Sequence, residues 1–148
     1  MHTAIHLHTV VSLQNAMNEP KVIGASGQRY WRERASCLLA VNQFDRVLLA
    51  RRSTKVSHPH LWGHPGGYCD EKESFKDCVV REATEELGPL PKLEWVCYSD
   101  FIDEPFTCRS FLTRTMHSWI PILNEENEDY GWFTRRQLQV LMPEMHFN

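Results

Sequence analysis

Two dense apolar runs, SCLLAV at 36–41 and RVLLARR at 46–52, flank the turn-forming NQFD and predict a central β-hairpin. HPHLWGHPGG at 58–67 is rich in turn residues, and its paired glycines allow the backbone to approach a metal or phosphate closely. The spacing then changes from strand-like to helical. Ser74, with Asp77 three residues on, has the form of a capping box, and Gly88 followed by Pro89 is a helix stop, so the pattern predicts one helix over 74–87. Phe75, Cys78, Val79, Ala83 and Leu87 form its apolar face. Beyond it, LEWVCYSDFI and CRSFLTRTM read as two strands separated by DEPFT, and WIPIL reads as a further short strand. NEENEDYG is expected to be an acidic loop, Trp132 and Phe133 to return to the core, and Thr134 to cap a last helix over 135–141.

The acidic residues of the first helix share its inward side. At about 100° per residue, Glu82 and Glu86 project within roughly 40° of Phe75 and Val79, and Glu85 lies beside Cys78. A merely solvated acidic face would point the other way. Several carboxylates that converge cannot all stay ionised at close range without a cation. Hard oxygen ligands select Mg²⁺ or Mn²⁺, which complete their shells with water and substrate phosphates, so a phosphate ester or anhydride is the natural substrate.

Composition narrows the class. A chain of 148 residues that is 42% hydrophobic has enough apolar material for one core and no room for two sizeable domains. A formal charge of minus three argues against a large basic nucleic-acid footprint. Five cysteines, with no CxxC pair and an odd count, suggest reduced thiols and a cytoplasmic setting. The apolar runs are too short to span a membrane, and MHTAIHLHTVV lacks the form of a secretory signal.

Written as a pattern, Gly67, five residues, Glu73, seven residues and then Arg81, Glu82, Ala83, Thr84, Glu85, Glu86, Leu87, Gly88 resembles the Nudix box of the MutT-like hydrolases without a gap. One position departs, since Pro89 stands where that family usually has an aliphatic residue. The resemblance runs from about Trp31 to Leu141 and implies an α/β Nudix fold, a mixed β-sheet sandwiched between helices. Residues 1–30 are expected to be an extension that adds an edge strand, swaps into a homodimer partner, covers the site, or does none of these; residues 31–148 are expected to be the Nudix domain. The family's roles fall on matching residues. Glu82 and Glu86 become metal ligands, Glu85 a third ligand or the base, and the Gly66 carbonyl a backbone ligand. Glu73 and Arg81 become the brace of the catalytic helix. An acid from NEENEDYG joins as ligand or base, with Glu126 preferred over Glu125 and Glu128. His64, next to Pro65 and Gly66, and Arg51 and Arg52, at the end of a strand, are candidate phosphate contacts.

The implied reaction is metal-assisted attack of water on a diphosphate linkage. Relatives that hydrolyse ADP-ribose tend to carry a proline some way past the box, and Pro105 falls in about that place. An ADP-ribose-like nucleoside diphosphate derivative is therefore the expected substrate. The alternatives are dinucleoside polyphosphates, nucleoside triphosphates, and the 5′ end or cap of an RNA. A different class, a non-catalytic nucleotide-sensing Nudix domain, commonly lacks box carboxylates that this chain retains.

Overall fold

The computed structural model describes residues 33–144, so the expected role of 1–30 lies outside the described residues. Strand β1 (Arg34–Val41) is buried along almost its whole length, as its unbroken apolar run requires of a strand covered on both faces. It runs parallel to β6 (Phe106–Arg114), which pairs antiparallel with β5 (Glu94–Asp103) at the sheet edge. On its other side β1 meets two partners in succession. Val41 pairs with Val47 of β2 (Val47–Arg52), while Ala35, Ser36 and Cys37 pair with Tyr68, Gly67 and Gly66 of β4 (Gly66–Tyr68). The short β3 (Trp62–Gly63) and β7 (Asn127–Phe133) both pair with β2.

Helices cover both faces of this seven-stranded sheet. Helix α1 (Phe75–Leu87) buries Val79, Ala83 and Leu87 against Leu38, Ala40, Leu48 and Phe111. Helix α2 (Arg135–Leu141) buries Leu138 against Val41, Val47 and Leu49. Alternate residues of β1 and β2 thus serve opposite layers, as a strand period of two demands. The turn between them is held by Asn42, 2% exposed, whose Oδ1 accepts from the amides of Phe44 and Arg46 at 2.9 and 3.1 Å.

Both helices begin where their caps place them. Ser74 Oγ accepts from Asp77 N at 3.0 Å, and Thr134 forms a reciprocal capping box with Gln137. Gly88 ends α1 at φ 76°, and its amide returns to Thr84 O at 2.9 Å.

Two expectations are corrected. WIPIL forms no strand. Pro121 has no amide to offer a ladder, Ile122 N donates to Leu87 O at 2.8 Å, and Trp119 packs edge-on against Trp132, so the segment straps the end of α1. NEENEDYG is only half a loop, because pairing with β2 draws Asn127 through Gly131 into β7. The turn-rich 58–67 segment also contributes β3 and the start of β4.

Candidate functional site

The divergence of β2 from β1 lets Pro65–Tyr68 lie directly against β1, with Leu38 N donating to Pro65 O at 2.8 Å. Gly66 and Gly67 have no room for side chains there. A Cβ on Gly66 would meet Ser36 O at 2.3 Å, and one on Gly67 would meet the Glu82 carboxylate carbon at 2.6 Å. The bare backbone at Gly67 is therefore the place that the Glu82 carboxylate occupies.

One turn further along α1, Glu86 is the most deeply placed acid of the box. Its Oε2 accepts from Gly66 N at 2.8 Å and its Oε1 from Asn127 Nδ2 at 3.4 Å. Burial pushes its carboxyl up to about 8, and the charges of Glu126 and Glu82 push the same way, against the two hydrogen bonds. Glu82 is also shifted upward, first by burial and then by Glu85 and Glu126, with Arg81 opposing. Glu82, Glu86 and Glu126 thus form one electrostatic group.

Arg81 stands on the outer side of that group. Its Nε and one terminal nitrogen grip Glu73 at 2.9 and 3.0 Å, the same terminal nitrogen reaches Tyr68 O at 3.1 Å, and the other serves Glu82 at 2.9 Å and Glu85 at 3.3 Å. These bonds employ every N–H of the guanidinium. The grip of Arg81 is the first cause that holds the Glu73 carboxyl down at about 2, and the Asp70 amide, 3.0 Å from Glu73 Oε1, is the next. Burial of Arg81 opposes ionisation but is outweighed by Glu73, so its affinity for the proton rises.

The three acids of the 124–131 segment go separate ways. Glu125 pairs with Lys55 at 3.1 Å, and Glu128 takes His60 Nδ1 at 2.7 Å and Arg51 Nε at 3.3 Å. The charge of Glu126 acts on both Glu82 and Glu86. Its backbone is set by Ser53 N, which donates to its carbonyl at 2.8 Å.

Among the other candidates, Gly66 engages Glu86 through its amide. Arg51 also donates to His60 O at 3.0 Å, and Arg52 to Ser57 O at 2.6 Å, so both guanidinium groups hold the 57–60 loop. His64 is half-buried between β3 and β4. Pro105 lies in the tight turn between β5 and β6, and none of the bonds described for the carboxylate group involves it. Asn127 was not foreseen from sequence. It is 8% exposed within an acidic run, and a lone buried amide at the start of a strand is its only signal.

The donors fit a hard divalent cation: Glu82 and Glu86 stand one turn apart against the Gly66–Gly67 backbone, Glu126 acts on both, and Arg81 reaches Glu82 but not Glu86, whose carboxyl burial pushes up. Glu82 and Glu86 would hold such an ion, with Glu126 beside them.

The family model of the NUDIX domain matches residues 31–147. The chain is 30% identical over 107 residues to the NAD-capped RNA hydrolase NudC of Pseudomonas aeruginosa, an alignment that covers 72% of this chain. It spans only 38% of the length of that relative. Among solved structures, the Nudix hydrolase RenU of M. smegmatis superposes with a TM-score of 0.67 at 23% identity, covering 87% of this chain and 86% of that one. An ADP-ribose pyrophosphatase of Streptococcus suis superposes with a TM-score of 0.52 at 25% identity, covering 70% and 75% respectively.

Proposed function

The chain belongs to the Nudix family, and we propose that it hydrolyses a diphosphate linkage in a nucleoside diphosphate derivative, with Mg²⁺ or Mn²⁺. The observation that carries this reading is that Glu82 and Glu86 stand one turn apart against the bare Gly66–Gly67 backbone, behind the Arg81–Glu73 grip, with the charge of Glu126 acting on both. A bound divalent cation supplies charge neutralisation at the phosphates and activation of water. Glu82 and Glu86 would hold the cation, together with the Gly66 carbonyl. Arg81 and Glu73 fix the helix and loop that present them. Glu126 accepts the proton of the attacking water, a role favoured over Glu85 because Glu85 is held by Arg81 at 3.3 Å while the charge of Glu126 acts on both Glu82 and Glu86. Water adds across the anhydride, and two phosphate monoesters leave.

An ADP-ribose-like compound is the substrate of this reading, supported by the position of Pro105 in sequence and by the likeness to an ADP-ribose pyrophosphatase. A second reading, NAD or the NAD-capped end of an RNA, is favoured by the match to NudC. Arg51, Arg52 and His64 are the candidates for phosphate contact in either case.

A panel of ADP-ribose, NAD, NAD-capped RNA, a dinucleoside polyphosphate and nucleoside triphosphates, each with Mg²⁺ and with Mn²⁺, tests this by chromatography of the products. AMP and ribose 5-phosphate from ADP-ribose are expected. Binding of nucleotides without turnover under either metal would overturn the hydrolase reading in favour of a sensor.

A further inference from the structure

The loop that leads from β4 to α1 carries a second group of ligand atoms with different chemistry. Cys69 follows β4, Glu73 lies in the loop and Cys78 is in the first turn of α1. Their two sulfurs and a carboxylate oxygen all lie within 4.8 Å of one another. Neighbouring donors around tetrahedral zinc stand about 3.3–3.8 Å apart, so only a small closure is required.

The packing fixes this approach. Cys69 N donates to Arg34 O at 2.8 Å, which anchors the loop to β1. Cys78 is fully buried, its thiol 3.6 Å from Gly67 O, while Cys69 and Glu73 are half-buried and give access from solvent. Ser36, 1% exposed, turns its hydroxyl toward the two thiols, and its Oγ has no hydrogen-bond partner of good geometry.

We propose that Cys69, Glu73 and Cys78 form a binding site for a thiophilic divalent cation of the zinc class, separate from the all-carboxylate site of Glu82, Glu86 and Glu126. Two thiolates and one carboxylate are a soft-to-borderline donor set, whereas the carboxylate pocket is hard, so the two sites select different ions. Glu73 belongs to both environments, because Arg81 grips it from the other side. An ion at the dithiol competes with Arg81 for that carboxylate and loosens the grip on the catalytic helix.

Cadmium is a suitable probe, since its thiolate complexes absorb in the ultraviolet. The reduced full chain, with its carboxylate pocket saturated by Mg²⁺, is titrated with Cd²⁺. A saturable charge-transfer band is expected. It should disappear in Cys69→Ser, whose half-buried position favours retention of the fold, and in Cys78→Ala. It should persist in Cys97→Ser, on exposed β5, and in Cys37→Ala, on the β1 face opposite Leu38. Absence of the band in the native chain would overturn the assignment, as would a band unchanged in folded Cys69→Ser. The readout is binding, so failure here leaves the hydrolase reading untouched, and failure of the hydrolase reading leaves this site untouched.

Discussion

Glu73 and Glu86 are the same residue type, placed by the same loop and helix, yet the protein gives them opposite proton affinities. Glu73 sits against the Arg81 guanidinium and is held at about 2, whereas Glu86 is buried among other acids and rises to about 8. One carboxylate has its counter-charge in the protein; the other is placed where the protein supplies none. In the proposed reading that difference separates a brace from a ligand, since a deep acid with only an amide and a backbone N–H for partners gains most from an ion.

The sharpest way to break the comparison is to neutralise the inner acids. Glu86→Gln and Glu82→Gln should each lower kcat by roughly a hundredfold or more with the circular dichroism spectrum unchanged, because they remove charge from the cation site. Near-native turnover in either variant would end the ligand assignment. Glu126→Gln should cost on the order of a hundredfold, the scale of a lost general base, while Glu125→Gln and Glu128→Gln stay close to native. Equal effects at all three positions would place the base elsewhere.

The outer pair should fail differently. Arg81→Ala should weaken metal affinity and turnover together, with partial recovery at raised Mn²⁺, because the ligands survive but lose their positioning. Glu73→Gln should be milder, since the amide oxygen still accepts one bond from the guanidinium. A pure rise in KM for Arg81→Ala, with metal affinity intact, would make Arg81 a phosphate contact instead.

The smallest effect is on stability against pH, where the two acids predict opposite slopes. Glu73 is depressed when folded, so its contribution is present above the ordinary carboxylate pKa of about 4.3 and is lost as pH falls toward about 2. Glu86 is raised when folded, so the metal-free protein loses stability as pH climbs from about 4.3 through about 8. Thermal unfolding should show Glu73→Gln converging on the native protein in acid, and Glu86→Gln gaining on it in base.

Sequence carried the local parts of this account. Ser74, Gly88 and Thr134 mark helix ends through bonds to near neighbours, and the inward side of Glu82 and Glu86 follows from spacing alone. What sequence could not convey depends on distant strands. Asn127 meets Glu86 across 41 positions because β7 pairs with β2, and that same pairing turned half of an expected loop into strand. WIPIL has strand composition but spends its backbone on the end of α1. The Cys69–Cys78 approach likewise needs β4 laid against β1, which no CxxC spacing announces.

The central claim is that Glu86 is kept protonated until a cation takes the proton's place. Titrating metal-free protein with Mn²⁺ at neutral pH by calorimetry, in two buffers of different ionisation enthalpy, measures the protons released on binding. The account predicts release of about one proton in the native protein and nearly none in Glu86→Gln, which should also bind Mn²⁺ more weakly. Tight Mn²⁺ binding without proton release, or with undiminished affinity in Glu86→Gln, would contradict it.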